Sequence, residues 1–151
     1  MLAGPPNTEQ PRLGDQPSSI TVLIADPHSR TRSGLRSALK HSHTVRVVGE
    51  VPDLASAITA ISSARVDVVL SGSRLAGLAS ESARAGLAQL ARRVPVIVMG
   101  MGDPRAYTAP LQAAGATDYW PKDGDLEQLT KRLIAAADAH PPHRDRSLWV
   151  A

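Results

Sequence analysis

The sequence predicts an α/β protein in which five strands alternate with five helices in a doubly wound parallel sheet. Three observations predict it. Short apolar runs rich in β-branched residues recur along the chain, and they are continuous rather than alternating, the pattern of strands covered on both faces. Between them lie segments with apolar residues at helical spacing. Strict strand–helix alternation then requires parallel pairing through right-handed crossovers, with helices on both sides of the sheet.

Residues 1–18 are rich in Pro, Gly, Gln and Asn, show no periodicity and read as a disordered tail. Ile20 to Ala25 (ITVLIA) is the first strand, closed by Asp26-Pro27. Residues 29–41 form a helix with Leu35, Ala38 and Leu39 inward and Arg30, Arg32, Arg36 and Lys40 on other faces. Val45 to Val48 is the second strand. Asp53 caps a helix carrying Leu54, Ile58 and Ile61 at i, i+4 and i+7. Val66 to Leu70 is the third strand. Residues 80–93 place Ala83, Leu87, Leu90 and Ala91 on one stripe that Val94 continues, and Arg92 and Arg93 suit the negative end of the helix dipole.

Pro95 to Met99 is the fourth strand. Asp103-Pro104 starts the fourth helix with a capping acid followed by Pro at the first helical position. Pro110 then removes a backbone bond at a cost of about 3 kcal/mol, so a kink or a late start is expected. Gly115 ends this helix. Thr117 to Trp120 is the last strand. Asp125 and Gln128 have capping-box spacing before a fifth helix with Leu126, Leu129, Leu133 and Ala137 on its core face. Residues 141–151 read as a short polar tail, which leaves 19–140 as the folded domain.

Composition narrows the function. The chain has 151 residues, enough for one domain with a real core. It has no cysteine, which excludes disulfides and thiolate sites and suits a cytoplasmic protein. No apolar run approaches a membrane span, and the first residues contain no apolar signal region. The net charge is +3, but the cations are spread over several helices among acids, without a Lys/Arg block, so no direct nucleic-acid contact is expected. His28, His41, His43, His140 and His143 lack metal-ligand clustering, and neither a metal nor a cofactor is expected.

The segments ITVLIADPHSRTRSGLRSAL, VRVVGEVPD, VDVVLSGSRLAG, VPVIVMG and LQAAGATDYWPKD resemble a response-regulator receiver domain of the NarL/FixJ-like type. They span nearly the whole ordered chain in the right order and spacing. The resemblance implies a flavodoxin-like (CheY-like) fold with strand order 2-1-3-4-5, two-component signal transduction, and transfer of a phosphoryl group from a histidine kinase to an aspartate. That chemistry needs a carboxylate nucleophile, Mg²⁺ on further carboxylates, a hydroxyl donor and a lysine.

Carried over position by position, the resemblance breaks at the reactive site. The acidic pair falls on Asp26 and Pro27, so one acid is lost. The phospho-acceptor falls on Gly72, and the Thr/Ser position falls on Gly100. The lysine is kept as Lys122 and the switch aromatic as Tyr119, whereas the usual Pro of the third loop is Ala76. Three reactive positions are absent, two of them as glycine. The expected protein is a degenerate pseudo-receiver: not an enzyme, and unable to run aspartyl phosphorylation.

Asp26 and Lys122 are expected to pair, since each would otherwise be a partly buried lone charge. Ser71 and Ser73 flank the missing acceptor; without a base nearby they read as loop residues rather than surrogate phosphorylation sites. The implied interaction face is the fourth helix, fifth strand and fifth helix, with Tyr107, Pro110, Leu111 and Tyr119, where a protein partner or a second copy binds. Tyr119 is expected to be a fixed aromatic half-covered by the fourth helix.

Three functions stay open. One is a phosphorylation-independent receiver acting by protein–protein contact in bacterial signalling or transcription control. Another is the receiver half of a DNA-binding regulator, although the residues after His140 are too few for a helix-turn-helix module. The third is a sensor holding a small-molecule ligand in the crevice at Asp26, Gly72, Gly100 and Lys122.

Overall fold

The computed structural model describes residues 19–72, 81–101, 103–122 and 124–139. The chain runs β1 (Ile20–Ala25), α1 (Ser29–Leu39), β2 (Val45–Val51), α2 (Leu54–Ser63), β3 (Val68–Gly72), α3 (Glu81–Ala91), β4 (Val96–Gly100), α4 (Pro104–Ala113), β5 (Asp118–Pro121) and α5 (Leu126–Asp138). The strands form one sheet in the order β2-β1-β3-β4-β5. All four pairings are parallel. The tails expected over 1–18 and 141–151 lie outside the described residues.

Side chains alternate across each strand and so divide the core in two. On one face Leu23, Val69, Val96, Val98 and Tyr119 pack with Ala57 and Ile61 of α2, Leu87 and Leu90 of α3 and Leu111 of α4. On the other, Val22, Ile24, Val68, Leu70 and Ile97 pack with Leu39 of α1 and Leu129 and Leu133 of α5. Both sides of β1, β3 and β4 are therefore buried, which explains their unbroken apolar runs.

The expected elements are present, with shifted edges. β3 ends at Gly72 and β4 at Gly100, because the ladder continues through small residues that an apolar run does not mark: Gly72 pairs with Met99, and Gly100 with Pro121. β2 extends to Val51, past a one-residue register shift that opposes Val22 to Val47 and Leu23 to Gly49. Val48, the extra residue, is 36% exposed. Two expected core residues are exposed, Ala38 and Leu126 at the start of α5, the latter at 37%, and Leu35, Leu54, Ile58, Ala83 and Ala91 are only partly buried.

Helix ends follow local chemistry. The Asp53 side chain accepts from the Ser56 N–H at 2.7 Å. Asp103 accepts from the Arg105 N–H at 3.0 Å, and Asp125 accepts from the Glu127 N–H at 3.0 Å. The Gln128 half of the expected capping box does not form among the described hydrogen bonds. α4 starts at Pro104 and runs through Pro110, so its start is not late. Its end is secured by Gly115, at φ +114°, whose N–H donates to the Gln112 carbonyl at 3.0 Å while the Ala116 N–H reaches the Leu111 carbonyl at 2.9 Å. Those two bonds and the left-handed glycine make a Schellman motif. Among the described residues no helix is long and apolar enough to cross a membrane.

Candidate functional site

The carboxyl ends of β1, β3, β4 and β5 bring Asp26, Gly72, Gly100 and Lys122 to one edge of the sheet. Ala25 pairs with Ser71, so Asp26 comes next to Gly72. The Lys122 N–H donates to the Gly100 carbonyl at 2.8 Å, which seats the lysine beside the end of β4. In open α/β sheets this edge, where strand order reverses around β1 and β3, is the usual ligand crevice.

Asp26 is the only buried carboxyl group described at this edge, 2% exposed. Its Oδ1 accepts from the His28 N–H at 2.8 Å, a local turn bond that fixes the side chain. Its main-chain carbonyl accepts from Arg32 Nη1 at 2.7 Å. The other oxygen points at β3. A Cβ at Gly72 would fall against Asp26 Oδ2, and only 2.9 Å from its Cγ. Asp26 therefore fills the volume that any side chain at position 72 would have to enter, and the missing Cβ of Gly72 permits that pose.

The expected Asp26–Lys122 ion pair is not found. No such pair lies within 4.0 Å among the described residues. The reason is geometric: Asp26 is turned to the His28 amide on one side and to Gly72 on the other. Lys122 is half-buried, and its ammonium has no ion pair among the described residues.

Nor do the residues present fit Mg²⁺. Hard divalent cations take six or more oxygens, several of them carboxylates. Here Pro27, Gly72 and Gly100 bring no side-chain oxygen, and Asp26 Oδ1 is already engaged. Among the described residues no three His, Cys, Asp or Glu come together to hold a metal. Ser71 is fully buried, and its hydroxyl donates to the Gly72 carbonyl at 3.2 Å. Ser73 and Ala76 lie outside the described residues.

A charge network behind the crevice was not read from the sequence. Arg32 links the Asp26 carbonyl to Glu50 on β2, 3.4 Å from Oε1. Arg36 meets the other Glu50 oxygen at 2.6 Å. The Arg36 guanidinium, seconded by Arg32, holds the Glu50 carboxyl below its ordinary value. The spacing of Arg32 and Arg36 on one side of α1 was the available signal, since residues four apart share a helix face.

The face of α4, β5 and α5 is built differently from the sequence expectation. Tyr119 is not half-covered but 2% exposed, inside the core with Leu111, itself 2% exposed. Pro110 is exposed. Tyr107 lies in α4, with its side chain outside the described residues. α5 is fastened to β5 by Arg132, whose Nη1 donates to the Tyr119 carbonyl at 2.9 Å and lies 3.2 Å from Asp118 Oδ2.

Comparison with known proteins agrees with this architecture. The family model for the response regulator receiver domain matches residues 22–134. "Probable transcriptional regulatory protein NarL" of Mycobacterium tuberculosis is 28% identical over 122 residues, covering 81% of this chain and 56% of that protein. The nitrate/nitrite response regulator NarP of Escherichia coli is 30% identical over 116 residues, 77% of this chain and 54% of NarP. The chain thus spans about half the length of the curated relatives it matches. Among solved structures, the signal receiver domain of NarL from M. tuberculosis superposes with a TM-score of 0.68 at 27% identity, covering 81% of this chain and 98% of that domain. Fold, strand order and family match converge: the chain belongs to the response regulator receiver domain family.

Proposed function

We propose that this receiver signals without aspartyl phosphorylation, by protein–protein contact, in bacterial transcription control of the kind its relatives' names describe. One observation supports the proposal: the Asp26 carboxyl fills the space a side chain at Gly72 would need, and Gly72 is where the family resemblance puts the acceptor. A phosphoryl group has no carboxylate nucleophile on β3 to attack it, no metal set to hold it and no hydroxyl at Gly100 to follow it. Asp26 does not replace the acceptor, because it is buried and bonded to the His28 amide. The partner, or a second copy of the chain, docks on the α4, β5 and α5 face.

The test is exposure of the chain to acetyl phosphate and Mg²⁺, followed by intact-mass spectrometry and sedimentation, with a receiver that retains its acceptor run in parallel. The expected result is unchanged mass and sedimentation while the control gains one phosphoryl group. A phosphoryl adduct that persists when Ser71 and Ser73 are both changed to Ala would overturn the proposal.

A further inference from the structure

The described residues expose three large apolar side chains, Val48, Met101 and Leu126. Two of them leave the same edge of the sheet. Gly100 pairs with Pro121, and the Lys122 N–H donates to the Gly100 carbonyl, so Met101 departs from β4 beside the turn that leads from β5 into α5. Leu126 opens α5, 37% exposed and packed in neither face of the core. It lies between Asp125 and Glu127, both exposed and neither in an ion pair among the described residues. Lys131, one turn further along α5, is not within ion-pair distance of Glu127.

Acids in the first turn of a helix ordinarily answer its dipole, and a single exposed leucine needs no special cause. What gives this surface an occupant lies further along the sequence. Past α5 the chain reads PPHRDRSLWVA over 141–151. Arg144 and Arg146, with Asp145 between them, lead into the apolar run Leu148-Trp149-Val150, the complement of a leucine flanked by two acids. Trp149 is one of two tryptophans, and the other, Trp120, belongs to the core. The reach suffices. α5 has 13 residues and is about 20 Å long. The ten residues from Ala139 to Trp149 span up to about 33 Å when extended, enough to return along α5 to its first turn.

We infer that residues 144–150 of this chain fold back onto the first turn of α5, with Leu148 and Trp149 over Leu126 and Met101 and the two arginines beside Asp125 and Glu127. Covering these side chains takes apolar surface out of water, and the opposite charges set the register of the contact. The segment then covers one end of the α4, β5 and α5 face, and a protein partner docking there has to displace it. That consequence rests on the function proposed above; the contact itself does not.

The chain has no cysteine, so Ser147→Cys accepts a single nitroxide spin label. The test is paramagnetic broadening in the ¹⁵N–¹H NMR spectrum of the full labelled chain. The expected result is broadening at the Met101, Leu126 and Glu127 amides and none along β2. Leu126→Gln should abolish it and Glu127→Lys should only weaken it, because apolar cover outweighs exposed ion pairs; unmoved Val69 and Ile97 amides show that the core is intact in both variants. A mixture of labelled, unenriched chain with unlabelled ¹⁵N chain should show no broadening. Broadening in that mixture would assign the contact to a second copy and overturn the inference. So would broadening confined to the neighbours of Ala139, spread evenly over the surface, or unchanged in Leu126→Gln.

Discussion

Gly72→Ala should destabilise the fold through a single neighbour, Asp26. The added Cβ would meet Asp26 Oδ2 and stand 2.9 Å from Cγ, closer than side-chain carbons approach, yet 3.6 Å from Asp26 Cβ, an ordinary contact. Two relaxations are available. The Asp26 side chain can rotate away and lose its bond to the His28 amide, at a cost of about 1–3 kcal/mol for a buried group. Alternatively β1 and β3 can shift, at the similar cost of an overpacked core. Against either stands the lower entropy of the unfolded alanine chain, which stabilises by about 0.4–1 kcal/mol. The net loss should be about 1–2 kcal/mol, read from urea unfolding monitored by circular dichroism. The decisive comparison is a double-mutant cycle with Asp26→Ala. Once the carboxyl is gone only the 3.6 Å contact remains, so Gly72→Ala should then be neutral or stabilising. An equal cost in both backgrounds, or no cost in the wild type, would refute the reasoning.

Further outcomes follow from other elements. Gly115→Ala puts an alanine at φ +114° with its Cβ 3.0 Å from Ala91 Cβ; a loss of about 1–3 kcal/mol is expected in thermal unfolding, and a neutral result would mean that the Schellman turn is not needed. Glu50 has a folded-state pKa lowered chiefly by Arg36. Its contribution is therefore fully present above the unfolded carboxylate value and lost as pH falls through the lowered one. Glu50→Gln should flatten the acid limb of the stability–pH curve below the ordinary glutamate value, and an unchanged limb would contradict that role. Arg132→Met should loosen α5 from β5, seen as faster amide exchange in Tyr119 and Trp120 with the opposite edge strand unaffected.

Fold class, element order and sheet polarity were legible because buried parallel strands leave continuous apolar runs and helices leave a periodic stripe. Element edges were less so. Ser71 and Gly72 look like loop, yet the ladder to β1 and β4 carries them into β3. Leu126 keeps the helical period but stands too early in α5 to reach the sheet. At the candidate site the sequence reveals that Gly72 and Gly100 have no side-chain oxygen in any conformation. It does not reveal which way a surviving side chain turns. Asp26 was expected to meet Lys122 because both carry charge at one sheet edge; the His28 amide and the space over Gly72 decide otherwise, and both are features of three-dimensional proximity. The pairing of Arg32 and Arg36 with Glu50 is hidden in the sequence for the same reason, since α1 and β2 come together only in the folded chain.

The most direct measurement is a crystal structure of the unmodified chain grown with Mg²⁺ and beryllofluoride, a mimic of the phosphoryl group on a carboxylate. The expected electron density has Asp26 against Gly72, bonded to the His28 amide, with neither magnesium nor beryllofluoride beside it. A magnesium ion on Asp26 with a beryllofluoride adduct on any neighbouring carboxylate would contradict phosphorylation independence outright.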